Sequence, residues 1–135
     1  MERINTLKND LIQEALNAGQ NSYSPYSNFK VGAAVECKNG KIYKGTNVEN
    51  SSYGLTICAE RNALAAAIVA GERDFTKIVV SSKNGVAPCG ACRQVIWDIC
   101  GDINVILTNN SGTITKEMRS SELLPAAFGP EDLKK

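Results

Sequence analysis

Two short stretches of this 135-residue chain carry residue types that could do chemistry. Thr56-Ile57-Cys58-Ala59-Glu60-Arg61 sets a thiol two positions before a carboxylate, and Pro88-Cys89-Gly90-Ala91-Cys92 sets two thiols three positions apart. Together they offer three thiolates for one metal ion and a carboxylate able to take a proton from a water on that ion. Three protein ligands with an open fourth position is the arrangement of catalytic zinc, whereas four closed ligands mark a structural site. Cys100 is a poor fourth ligand. It follows Cys92 by more than two helical turns, roughly 12 Å at the usual rise, and zinc–sulfur bonds are about 2.3 Å. Cys37, beside a hairpin turn, is harder to exclude. Cys89 and Cys92 also fit the spacing of a redox Cys-x-x-Cys pair, but Glu60, in the same turn as Cys58, favours a catalytic metal.

Helices must hold these groups. Thr56 is a fair N-cap for a helix over 57–70 that stops at Gly71. Pro88 suits the first turn of a second helix running to about Cys100. On a helix, positions i and i+3 share a face, so Cys89 and Cys92 can reach one ion, and the unpaired amides at a helix start favour thiolate. The helix over 57–70 is apolar on nearly every side, from Ala59 through Ala63, Leu64 and Ala67 to Val69. That pattern predicts burial, against another subunit as well as against a sheet.

The remaining elements supply the sheet. Ile4, Leu7, Leu11, Ile12, Ala15 and Leu16 recur at helical spacing, predicting an amphipathic first helix with Gly19 as its stop. An ordered loop over 21–29 follows. Strands are expected over 31–36 and 42–47, joined by a two-residue Asn39-Gly40 turn, and then over 77–82, 103–108 and 113–116. A short helical piece covers 120–124. The polar loop from Asn47 to Gly54 carries an amide, a carboxylate and a phenol suited to a sugar, although Asn and Ser serve ordinary turn chemistry equally well. Helices alternating with strands after an opening hairpin give one α/β domain over 1–135, a three-layer α/β/α arrangement with a mixed five-stranded sheet.

Composition narrows the function. The formal net charge is +1, and no run of Lys or Arg exceeds two residues. No basic stripe marks a nucleic-acid partner, so a small neutral ligand is favoured. Hydrophobic residues make up 43% of the chain, ordinary for a globular protein. There is no membrane-length apolar run, and Met1 to Asn5 lack a signal-type apolar core. A reducing cytoplasm is therefore expected, where five cysteines read as metal or catalytic residues rather than disulfides. The sequence contains no His, so any transition-metal site leans on Cys and no imidazole can act as base.

The joint pattern Cys58-Ala59-Glu60-Arg61 and Pro88-Cys89-Gly90-Ala91-Cys92-Arg93-Gln94 resembles the zinc nucleobase deaminases. With the Asn47-Val48-Glu49-Asn50 loop and the late Leu123-Leu124-Pro125-Ala126-Ala127-Phe128, the chain is similar over nearly its whole length to the small nucleoside-type cytidine deaminases. The resemblance implies one Zn2+ per chain on Cys58, Cys89 and Cys92, with Glu60 as proton shuttle in hydrolytic deamination of cytidine or deoxycytidine, in pyrimidine salvage. It implies that Asn47 and Glu49 hold the ribose, that Phe29 packs on the pyrimidine, that Ala59 touches substrate, and that Tyr53 and Phe128 reach the pocket from neighbouring subunits of a homotetramer. Three thiolates carry one more negative charge than zinc offsets, so Arg61, with Arg93 as a further candidate, is expected to donate to the sulfurs from outside the coordination shell. The alternatives are a deaminase of another aminopyrimidine nucleoside such as blasticidin S, a nucleic-acid-editing deaminase, and a non-catalytic zinc-stabilised or redox protein. The loop and tail disfavour the first, charge and length the second, and intact Glu60 the last group.

Overall fold

The computed structural model describes residues 2–134, with side chains from Asn9 onward. Five strands form one mixed sheet in the order β2-β1-β3-β4-β5. β1 (Val31–Cys37) pairs antiparallel with β2 (Ile42–Thr46) and with β3 (Phe75–Ser82). β3 runs parallel to β4 (Asn104–Thr108), which pairs antiparallel with β5 (Ile114–Arg119). Helix α1 (Glu2–Gly19) covers one face, where Leu11, Ile12 and Ala15 pack on Ala34, Val79 and Ile106. Helices α2 (Ala59–Val69) and α3 (Gly90–Cys100) cover the other, over Ala33, Val35, Ile78, Val80, Val105 and Leu107. Alternate strand residues thus feed opposite layers, and the expected three-layer domain with five strands is present. Ile4 and Leu7, part of the apolar stripe expected on α1, lie outside the residues whose side chains are described.

Two glycines let the helices press directly on the sheet. A Cβ on Gly32 would stand 1.9 Å from the Ala15 carbonyl oxygen of α1. One on Gly45 would stand 2.3 Å from the Ala63 amide nitrogen of α2. The latter contact sets the height of α2 above β2, and α2 begins beside Cys58.

Element ends depart from the sequence expectation for identifiable reasons. The hairpin turn is longer than two residues. The Cys37 N–H bonds the Lys41 carbonyl at 2.9 Å and the Gly40 N–H bonds the Cys37 carbonyl at 2.9 Å, leaving Lys38, Asn39 and Gly40 in the turn with Gly40 at φ 88°. Helix α2 starts at Ala59 rather than residue 57, because Val48 and Ile57 exchange both backbone bonds at 2.9 Å and hold Ile57 extended. Thr56 is therefore not the N-cap. It ends a 3-10 turn, Tyr53–Leu55, and its hydroxyl accepts from the Asn50 N–H at 3.2 Å. β3 begins two residues early at Phe75, and β5 runs on to Arg119. Of the burial expected round α2, the part against the sheet is present: Ala59, Ala63, Leu64 and Ala67 are buried, and Ala65, Ala66 and Val69 are exposed on this chain.

Candidate metal centre and active site

The two helix starts meet at the C-terminal end of β3. Cys58 is the N-cap of α2 (φ −72°, ψ 155°) and Cys89 the N-cap of α3 (φ −66°, ψ 168°). Each turns the chain from extended to helical, and each carbonyl accepts the first helical bond, from Asn62 at 3.1 Å and from Arg93 at 3.0 Å. Cys92 follows, buried in the first turn of α3. The two caps thus point thiols from separate segments at one spot, and Cys92 reaches it from within the helix.

All three sulfurs lie within 4.8 Å of one another, and Cys58 Sγ is 3.9 Å from Cys89 Sγ. Tetrahedral zinc with bonds of about 2.3 Å separates its sulfur ligands by roughly 3.8 Å, so the cluster fits that ion with little movement. Cys37 and Cys100 stand apart from this cluster among the described residues. Burial pushes the Cys37 thiol up to about 11 and the Cys100 thiol up to about 12, so both are neutral core groups. Cys58 behaves oppositely. The Cys92 thiol bonded to its sulfur, with Arg61 and Cys89 beside it, pulls Cys58 down to about 5, while the same bond holds Cys92 as the protonated donor. A Cys58 thiolate stabilised by the Cys92 thiol and a guanidinium is a site prepared for a cation.

Glu60, in the first turn of α2, is 4% exposed. Desolvation raises its carboxyl above the ordinary value, with the Cys58 charge adding to the shift. A buried carboxylate of raised basicity beside a metal cluster is equipped to accept a proton and return it. Glu60 lines a cavity of about 240 Å³ with Cys58, Cys89, Ala59, Phe29, Asn47 and Val80. Phe29 reaches it because Asn28 adopts φ 57°, a left-handed turn that Asn tolerates. Asn47 is locked in place: its amide donates to the Phe29 carbonyl at 2.7 Å, and its oxygen accepts from the Val31 N–H at 3.0 Å and from Ser22.

Thr56 lines both this cavity and a neighbouring depression of about 360 Å³, formed with Tyr26, Ser27, Glu49 and Tyr53. There the Glu49 carboxylate accepts from the amides of Tyr26 (3.0 Å) and Ser27 (3.2 Å) and from the Ser27 hydroxyl. The Ser27 hydroxyl, with those amides, holds Glu49 below the usual carboxylate value. Tyr53 is 77% exposed and sits edge-on to Tyr26, ring centroids 6.3 Å apart. Phe128 lines neither space among the described residues of its own chain. Arg61 donates to Cys58 Sγ at 3.6 Å and to the Thr56 carbonyl at 3.4 Å. Arg93 does not join it. The Arg93 guanidinium is spent on the carbonyls of Pro88 (2.8 Å) and Leu123 (3.0 Å), so its expected bond to a sulfur is not made.

Sequence reasoning passed over Ser22 and Ser27, which fix Asn47 and Glu49. Their only trace in the sequence is a loop dense in hydroxyls, which by itself reads as turn chemistry.

Comparison with known proteins agrees with this geometry. A family model described as the cytidine and deoxycytidylate deaminase zinc-binding region matches residues 5–108, which include both cysteine segments. The cytidine deaminase of Halalkalibacterium halodurans is 51% identical over 126 residues, covering 91% of this chain and 95% of that protein. That of Sporosarcina psychrophila is 48% identical, covering 91% and 92%. Among solved structures, a cytidine deaminase from Burkholderia pseudomallei superposes with a TM-score of 0.84 at 47% identity, covering 88% of this chain and 97% of its own. With both cysteine-bearing turns inside the matched region and three thiols spaced for one ion, the chain belongs to the cytidine and deoxycytidylate deaminase zinc-binding family.

Proposed function

We propose that the protein hydrolyses cytidine and deoxycytidine to uridine and deoxyuridine plus ammonia, with one zinc per chain on Cys58, Cys89 and Cys92. The observation that carries this reading is the cavity itself. It sets Glu60 and two of the three thiols among the groups that line it, with Phe29 and Asn47, and it adjoins at Thr56 the depression that holds an ionised Glu49. A flat pyrimidine suits the first space and a sugar the second.

Zinc held by the thiolates supplies Lewis-acid activation of a water. Glu60 accepts a proton from the attacking water and passes it to ring nitrogen 3. Oxygen bonds to carbon 4; Glu60 then takes the second proton, from the hydroxyl now on carbon 4, and gives it to the exocyclic amine, and the carbon–nitrogen bond breaks to release ammonia as the carbon–oxygen double bond forms. One carboxylate serves as base and then as acid because it faces water first and substrate second. Phe29 packs on the base and Ala59 borders it. Asn47 and Glu49 take the ribose hydroxyls; both reach those positions already hydrogen-bonded to the chain, so little ordering is left for binding to supply.

Homotetrameric assembly belongs to the same reading, with Tyr53 and Phe128 closing the pockets of neighbouring copies. The exposed Ala65, Ala66 and Val69 face of α2 and exposed Leu55 supply apolar surface for such contacts. No helix among the described residues is long and apolar enough to cross a membrane. A cytoplasmic role in pyrimidine salvage, without nucleic acid as partner, completes the proposal. Purified protein mixed with cytidine should lose the cytidine absorbance and release ammonia in equal amounts. No conversion with zinc bound would move the substrate to another aminopyrimidine nucleoside, with blasticidin S the next compound to try.

A further inference from the structure

One face of α3 is given over to the C-terminal segment. Arg93 donates through Nη1 to the Leu123 carbonyl at 3.0 Å, while its Nε holds the Pro88 carbonyl beside Cys89 at 2.8 Å. Gln94 Nε2 donates to the Phe128 carbonyl at 2.8 Å. One turn further on, Trp97 lies under Gly129, where an added Cβ would stand 2.8 Å from the indole nitrogen. The segment between these anchors makes a sharp left-handed step at Ala126, φ 52°. Past them, the Gly129 N–H is closed onto Asp132 at 2.8 Å.

The outcome is a fixed backbone with one side chain turned out. Leu123 and Gly129 are buried, yet the Phe128 ring between them is 56% exposed. The ring stays in water while its own carbonyl is held by Gln94, which leaves it open to contact from outside the chain.

We propose that Gln94 is a positioning residue: it fixes the Phe128 backbone on the helix that also carries Cys92, so that the Phe128 ring is offered to the substrate pocket of a second copy of this chain. Arg93 and Trp97 anchor the two ends of the same segment. The inference rests on the reading of Phe128 as a pocket-closing residue given above and adds what holds it there.

The test compares the zinc-loaded full chain with Gln94→Met, which keeps the side-chain length and removes the donor. KM for cytidine should rise roughly fivefold with kcat within about twofold, the worth of one neutral hydrogen bond lost from binding. Gln94→Lys, which restores a donor of similar reach, should return KM toward the original value. In a Phe128→Ala background, Gln94→Met should add nothing, because both changes remove the same contact. Trp97 is the single tryptophan, so its fluorescence reports whether Gly129 still covers it, and acrylamide quenching should increase in Gln94→Met. Unchanged KM and quenching, or the same KM rise in both backgrounds, would overturn the proposal. Should the original chain not turn over cytidine at all, the substrate reading fails, and the Trp97 quenching still decides whether Gln94 holds the tail.

Discussion

The Arg61 guanidinium lies 3.6 Å from Cys58 Sγ and also reaches the Thr56 carbonyl, so one side chain ties the N-cap sulfur of α2 to the turn before it. Its Nε is buried without a hydrogen-bond partner among the described residues, a cost offset by proximity to the sulfur charge. Arg61→Gln should therefore weaken zinc binding by roughly ten- to hundredfold, the usual effect of removing an outer-shell partner, and lower turnover with it. Zinc competition with a chelating dye measures the first effect. Unchanged affinity and unchanged turnover would leave Arg61 only the Thr56 contact.

The three-thiol cluster leaves Glu60 outside the ligand set, and the proposed mechanism gives it the proton transfers. Glu60→Gln should keep one zinc per chain and reduce turnover by roughly 10²- to 10⁴-fold, the scale of acid–base catalysis. Metal analysis beside a cytidine assay checks both halves. Turnover close to the original would remove Glu60 from the chemistry, and loss of zinc would make it a structural part of the site.

Glu49 yields a pH expectation. The Ser27 hydroxyl and the two amides lower its pKa below the ordinary 4.5, so the carboxylate stays charged on acidification and is protonated only below that value. The loss of product-nucleoside binding caused by Glu49→Gln should then be the same from pH 7 to pH 5 as read by calorimetry. A binding step near pH 6 that Glu49→Gln abolishes would contradict the assignment.

Gly45 should be irreplaceable for a packing reason. A methyl group there meets the Ala63 amide nitrogen at 2.3 Å and the Ala59 carbonyl oxygen at 2.5 Å, both backbone atoms that cannot swing away. Gly45→Ala should cost about 1–3 kcal/mol of stability, as overpacking does, and lower activity by displacing the start of α2. Gly54→Ala, where an added Cβ meets nothing, is the control. Equal melting temperatures for the two variants would show that α2 yields freely.

The chemistry was legible because metal ligation and proton transfer demand particular residue types at particular spacings. Cys58, Glu60, Cys89 and Cys92 meet in space as their spacing implied. What the sequence hid depends on contacts between distant residues. The apolar pattern of residues 57–70 extends past the true helix start, because it is silent on the Val48–Ile57 bridge that keeps Ile57 extended. The same pattern predicts burial against a sheet and a second subunit, and on this chain the sheet side is buried while Val69 is 88% exposed. Arg93 was a further candidate beside Arg61, each directly following a motif residue, yet Arg61 meets a sulfur and Arg93 two carbonyls. The sheet was easier to read: five stretches bounded by turn residues matched its five strands, while their ends shifted where pairing continued further along the chain, as in β5.

The most direct measurement is a zinc titration of chelator-stripped protein with cytidine as substrate. Deamination should be absent without metal, rise in proportion to added zinc, and saturate at one zinc per chain. Full activity in the stripped protein, or one zinc bound per chain with no conversion of cytidine, would contradict zinc-dependent cytidine deamination at Cys58, Cys89 and Cys92.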